Sequence, residues 1–243
     1  KDLVNNFVHR FNNMISILTE YNQIVADAIS EMLMYHLKQN FQTVEIDKLL
    51  KFNSKNTTLN IDTIGEIKLF PAKALHFSLS YEGITEIQKL SNVVFFDSPI
   101  YTRIRKALVK STKRSFLSGF DKDEDSYLKG FPSYIEDLYE HLDKEYIDEP
   151  MFIDLSKRIH ALIAGKLLVN NNGDILYTDI NGNDVPLSLT AMGIGNIGVI
   201  DILLRNNTIK KGSFLILDEP EVHLHPEWQV ELASILYEIA KRG

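Results

Sequence analysis

The chain has 243 residues, 44% hydrophobic and 24% charged, which is ample for a buried core and inconsistent with a disordered or fibrous protein. A net charge of −7 argues against a globally basic nucleic-acid binder, and the absence of cysteine removes disulfide scaffolds, thiolate zinc sites and cysteine nucleophiles. No apolar run is long enough to span a bilayer, so no membrane association is expected, and the lack of thiols is compatible with the cytoplasmic location expected here. The sequence starts at Lys1 with no initiator Met or signal peptide and stops just after a strongly patterned helix. It is therefore expected to be a piece of a longer protein.

Residues 1–40 read as one long helix or two closely coupled ones. Val4, Val8, Phe11, Ile15, Leu18, Asn22, Val25, Ile29, Met32 and His36 alternate spacings of four and three, a heptad seam broadened by Phe7, Met14, Tyr21 and Ala28. Such a face either packs on its own domain or forms a protruding coiled-coil arm. From Thr57 to Glu82 the period changes to two, with Gly65, Pro71 and Gly83 as punctuation, which predicts an antiparallel meander. Asn92–Phe96 reads as a short buried strand ending at Asp97-Ser98-Pro99.

A charge block follows. Arg103, Lys106, Lys110, Lys113 and Arg114 fall on one face of a basic helix expected at about 101–116, a candidate surface for nucleic acid or phosphate. Residues 121–150 then carry eleven acids and three lysines, so a solvated face balanced by this acidic segment is the alternative. Asp121–Asp125 lacks the downstream Gly and Glu of a calcium loop, and calcium is not expected.

A helix is predicted over Met151–Ala164. A second meander follows at 166–170, 174–179 and 185–189, with Asn-Asn-Gly at 171–173 and Asn-Gly at 181–182 as turns. Residues 190–206 read as a helix, Ser213–Leu217 as a buried strand, and Pro226–Lys241 as a closing helix that carries Trp228 as a packing residue. Asp218 and Glu219 follow the strand directly, at the end where open α/β sheets bind ligands. An Asp there can hold magnesium beside nucleotide phosphates, and the Glu can polarise an attacking water. Two adjacent buried carboxylates would need a cation or a polar network to offset their charge.

The stretch Leu217-Asp218-Glu219-Pro220-Glu221-Val222-His223-Leu224-His225-Pro226-Glu227-Trp228-Gln229 resembles the Walker B and D-loop region of ABC-type ATPases of the SMC-like and overcoming-lysogenization-defect-like group, the AAA family ATP-binding proteins. Leu189–Ile197 lies where that group has its signature motif, a polar-Gly turn opening a helix whose N–H groups suit a γ-phosphate. The resemblance covers residues 186–241 and implies an α/β fold, a partial P-loop (ABC-type) nucleotide-binding domain with a long helical segment and antiparallel β-meanders. It implies ATP and Mg2+ as cofactors and an active form that is a head-to-tail homodimer. It assigns Mg2+ to Asp218, the general base to Glu219, the signature turn to Ala191, Met192, Gly193 and Gly195, and the D-loop to Glu221, His223, His225 and Pro226.

The sequence departs from the family pattern in three places. It contains no Gly-x-x-x-x-Gly-Lys-Ser/Thr, so these 243 residues alone are expected to bind ATP poorly and hydrolyse it negligibly. The signature has Ala191-Met192 before its Gly, where Ser is usual, and Gly195 where Lys is common. The strand and His of the switch region expected after the last helix are missing. The whole divides into a helical and β-meander portion, about 1–150, and a signature-to-Walker-B half, about 151–243. Two other readings compete. His223-x-His225 with Asp218, Glu219 and Glu221 resembles a metal-dependent hydrolase site. Alternatively the chain is a scaffold whose acidic pair is degenerate.

Overall fold

A computed structural model describes residues 2–43, 45–50, 54–70, 74–80, 82–89, 91–97, 131–170 and 172–243; side chains of the first helix are described from residue 16. The basic helix expected at 101–116, with Arg103, Lys106, Lys110, Lys113 and Arg114, lies outside the described residues, as does the first part of the acidic segment. By contacts the chain forms two compact units. One is Lys1–Lys89 with Asp123–Pro132, the other Leu90–Lys122 with Ser133–Gly243.

In the first unit, helix α1 runs over Asp2–Phe41. A short 3-10 turn at Ile46–Leu49 leads to a three-stranded antiparallel meander of β1 (Thr57–Ile61), β2 (Gly65–Phe70) and β3 (Ala74–Leu79), closed by α2 (Gly83–Lys89). The face that α1 turns to β3 runs along the edge of the heptad seam, where Val25 and Ile29 are half-buried. Ala26 is buried, and Ser30 accepts a hydrogen bond from the Phe77 N–H at 2.9 Å while donating to the Ala26 carbonyl. Small residues let the helix come close enough to satisfy an edge N–H of the sheet. The bulkier seam residues Leu18 and Met32 stay 56% and 61% exposed.

The second unit holds the larger core. Its elements are β4 (Val93–Phe96), α3 (Ser133–Leu142), α4 (Ile153–Leu162), β5 (Gly165–Val169), β6 (Ile175–Asp179), β7 (Asp184–Pro186), α5 (Met192–Arg205), β8 (Phe214–Leu217) and α6 (Pro226–Arg242). Sequence pattern anticipates most of these. Leu187–Leu189 is a 3-10 turn rather than the end of a strand. Helix α3 lies inside the acidic segment, where charge counting hides an amphipathic stripe: Ile135, Leu138, Tyr139 and Leu142 are buried at spacings of three, one and three.

Helix α5 is apolar nearly all round and is the centre of this core, with Ile197, Val199, Ile200, Ile202, Leu203 and Leu204 almost without exposure. Its carboxylate, Asp201, is fully buried. It accepts hydrogen bonds from Ser156 Oγ (2.5 Å), His160 Nε2 (2.9 Å) and Arg205 Nε (2.9 Å). Beside it, β5, β6 and β7 form an antiparallel meander. Asp179 Oδ1 accepts the Asn181 and Asn183 N–H groups and Gly182 takes φ +82°, which fits the predicted Asn-Gly turn.

Strands β4 and β8 are far apart in sequence but pair in parallel, Val93 with Phe214 through Phe96 with Leu217. Val94 and Phe96 are buried and Leu215 and Leu217 pack on the core. Val93, Phe214 and Ile216 are 52%, 54% and 50% exposed. The expectation that both strands are buried is therefore corrected: among the described residues the outer face is covered only in part, where the Phe95 ring meets Tyr134. No described helix is long and apolar enough to cross a membrane.

Candidate nucleotide and cation site

The parallel register decides which side chains meet. Asp97 follows β4 and Asp218 follows β8, and the Asp218 N–H bonds the Phe96 carbonyl at 3.1 Å, carrying the ladder one residue further. Two carboxylates thus leave the same end of adjacent parallel strands, where open α/β sheets place their ligands. Tyr134 on α3 holds Asp97 from the side. Its hydroxyl donates to Asp97 Oδ2, and its ring stacks edge-on against Phe95 with centroids 4.7 Å apart.

Beyond Asp218 the chain makes two consecutive tight turns. The Val222 N–H reaches the Glu219 carbonyl at 3.0 Å, with Pro220 at the second position, and the Leu224 N–H reaches the Glu221 carbonyl at 3.1 Å. Glu219 has φ +44° and His223 has φ +67°, left-handed values that side-chain-bearing residues adopt rarely. Strain of this kind concentrates where surrounding structure fixes a functional geometry. Leu224 is buried and anchors the turn. His225 then opens α6, accepting the Trp228 and Gln229 N–H groups on its carbonyl, with Pro226 in the first turn. Trp228 packs against the core, as expected of it.

Helix α5 enters from the other side. A Cβ on Gly193 would lie 2.8 Å from the His223 carbonyl oxygen and 3.0 Å from Leu224 Cδ2, so only glycine lets the helix start abut the turn. One turn on, Asn196 Nδ2 donates to the Val222 carbonyl at 3.0 Å, and its buried Oδ1 has no partner among the described residues. Ala191, the N-cap residue, makes no side-chain cap to the first-turn amides of α5.

These parts enclose a pocket of about 170 Å³ lined by Asp97, Asp218, Glu219, His223 and Asn196 over Phe96. Of the residues singled out in the sequence, Asp218, Glu219 and His223 share it, and Gly193 braces its turn. Ala191, Met192 and Gly195 lie around the start of α5 and do not line it. Glu221 is exposed off the pocket. His225 turns its Nδ1 toward Glu227, 4.0 Å away, so the two histidines of the His-x-His motif part company. Asp218 and Glu219 are exposed rather than buried, which corrects the expected desolvation cost: water screens both charges.

Asp97 and Asn196 were not anticipated as site residues. The signal for Asp97 is present in the sequence, since Val-Val-Phe-Phe-Asp repeats the four-apolar-then-acid pattern of Phe-Leu-Ile-Leu-Asp. Among the described residues no three His, Asp or Glu side chains gather to hold a metal ion. The donor set of paired carboxylates at an open rim fits magnesium, which keeps most of its waters and takes phosphate oxygens rather than an all-protein cage.

No curated protein matches the chain in sequence. A family model described as "AAA domain, putative AbiEii toxin, Type IV TA system" matches residues 42–243, the greater part of the chain. With its mixed α/β architecture and its carboxylates at the ends of parallel strands, the chain belongs to this AAA domain family, ATPase-type nucleotide-binding domains of a kind that generally bind ATP with Mg2+.

Proposed function

We propose that the chain supplies the signature and Walker B half of an ABC-type, SMC-like ATPase that converts ATP and water to ADP and phosphate. The observation that carries this reading is the Asp218-Glu219 pair leaving parallel strand β8 into a pocket against the start of α5. Asp218 would hold the magnesium ion, which supplies charge neutralisation at the phosphates. The Glu219 carboxylate, which follows Asp218 at the strand end, accepts the proton of the attacking water. The first-turn amides of α5 serve the γ-phosphate of a second subunit in a head-to-tail homodimer, and residues 221–226 run along that seam.

The 243 residues contain no P-loop sequence, so alone they turn over ATP negligibly. The coupled task lies in DNA repair or phage defence. The separation of His223 from His225 weighs against the metal-hydrolase alternative.

The test is magnesium-dependent ATP hydrolysis by the full-length protein, wild type beside Glu219→Gln, with the 243-residue chain as control. Turnover in the wild type, reduced roughly 100-fold or more in the variant, supports the assignment. Absence of both ATP binding and turnover in the full-length wild type overturns it in favour of a scaffold.

A further inference from the structure

Helix α1 has a second apolar face that its own sheet does not use. Ala26 and Ser30 meet β3, where Leu75 and Phe77 are buried. About half a turn round the helix lie Ile17, Tyr21, Ile24, Ala28, Met32 and Tyr35, at spacings of four, three, four, four and three. All six are exposed, Ile17 at 66%, Ile24 and Met32 at 61% each, and Tyr21 at 56%. Residues three and four apart are neighbours on a helix, so these side chains form one continuous stripe, which Leu18 widens.

The size of the stripe bears on what covers it. Aliphatic and aromatic side chains at this exposure present on the order of 600–700 Å² in one strip. A monomer ordinarily leaves about 300–600 Å² in its largest apolar patch. Each partner in a stable interface gives about 800 Å². The stripe is therefore large for a free surface and close to one half of a dimer contact. Threes and fours in this order keep a seam turned toward a like helix, and the small Ala28 at its middle lets two backbones approach. A second copy of α1 repeats every position and fills the seam in register.

Charge sets the direction. Glu20, Asp27 and Glu31 lie along one side of the stripe, and Leu18, Asn22 and Val25 along the other. An antiparallel pair would set the acidic sides of both copies against each other, and like charges so placed repel. A parallel pair sets each acidic side beside the uncharged side of its neighbour, with the carboxylates at the rim in water.

We propose that α1 is a dimerisation surface whose partner is α1 of a second copy, the two helices running parallel. The stripe lies outside residues 42–243, which match the AAA domain family, and its contact involves no nucleotide. It is therefore separate from the head-to-tail seam and does not depend on the roles given to Asp218 and Glu219.

Sedimentation of the full-length protein without nucleotide reads the contact. The wild type should be dimeric at micromolar concentration, and the Ile24→Glu, Met32→Glu double variant should raise the dissociation constant roughly 100-fold or more. Ile180→Glu, the same change at a hairpin tip where the side chain is 79% exposed, should leave it unaltered. Thermal melts establish that each variant is folded. Ile17→Cys and Tyr35→Cys, oxidised separately, read the direction, and each should cross-link to itself above the wild-type background. A wild type that stays monomeric at about 100 μM overturns the proposal, as does a folded double variant that dimerises as the wild type does. Cross-links that form only when the two cysteine variants are mixed overturn the parallel arrangement.

Discussion

Asp201 has none of its surface in water, and three donors converge on it: Ser156, His160 and Arg205. Arg205 in turn donates to the Leu167 carbonyl and lies 4.2 Å from the centroid of the Tyr146 ring. This one carboxylate therefore ties α4, α5 and β5 together. Removing it leaves the Arg205 guanidinium, whose side chain is only 12% exposed, without its counter-charge. Asp201→Ala should cost about 3–5 kcal/mol, read as a lowered urea midpoint. Asp218→Asn, at an exposed acid, should shift stability by no more than about 0.5 kcal/mol. The contrast separates an acid that holds the fold from one assigned to chemistry. An Asp in the middle of an apolar run is evident in the sequence, as is Arg205 four residues on, but Ser156 and His160 are not, because they come from a second helix brought alongside only by packing.

At the scale of elements, the β4–β8 sheet sets the site and is also the least covered part of the second unit. Parallel strands are ordinarily buried on both faces. Here Val94, Phe96, Leu215 and Leu217 face the core while Phe214 and Ile216 face water. Exchanging Phe214 and Ile216 together for Thr, which keeps strand propensity, should change stability by about 0.5 kcal/mol or less per site. Val94→Ala on the inner face should cost about 2 kcal/mol. Equal losses on the two faces, measured by chemical denaturation, would show that the outer face is packed as well. An all-apolar strand pattern cannot distinguish one covered face from two, which is why the sequence reading put both strands in a buried sheet. Helix α3 failed in the opposite direction. Its stripe of Ile135, Leu138, Tyr139 and Leu142 is regular, but the surrounding acids dominate any count of charge.

For the molecule as a whole, pH acts on stability through a histidine. His141, on the last turn of α3, is held below its ordinary value chiefly by burial and then by the Lys144 ammonium; a hydrogen bond to the Val93 backbone opposes this only in part. Unfolding therefore takes up a proton at this ring. Its contribution to stability is complete above about pH 6.5 and is lost as pH falls through that value toward the depressed one. Melts at about pH 7.5 and 5.5 should show a lower midpoint at the acid value, by a few degrees, and His141→Gln should shrink the difference. A midpoint that ignores pH over this window would remove the effect.

The same scale shows how far one-dimensional pattern reaches. The helices, the two meanders, the Asn-Gly turn and the acidic pair after β8 are local properties, because propensity, periodicity and turn chemistry act over a few residues. They sufficed to place Asp218 and Glu219 at a strand end. Which strand lies beside them was a matter for the tertiary structure alone. Pairing β4 with β8 across more than a hundred residues brought in Asp97, and the docking of α5 brought in Asn196. It also parted His223 from His225, through a left-handed turn that no glycine announces. Parallel pairing and helix docking depend on surfaces far apart in the chain, and no spacing within a short window encodes them.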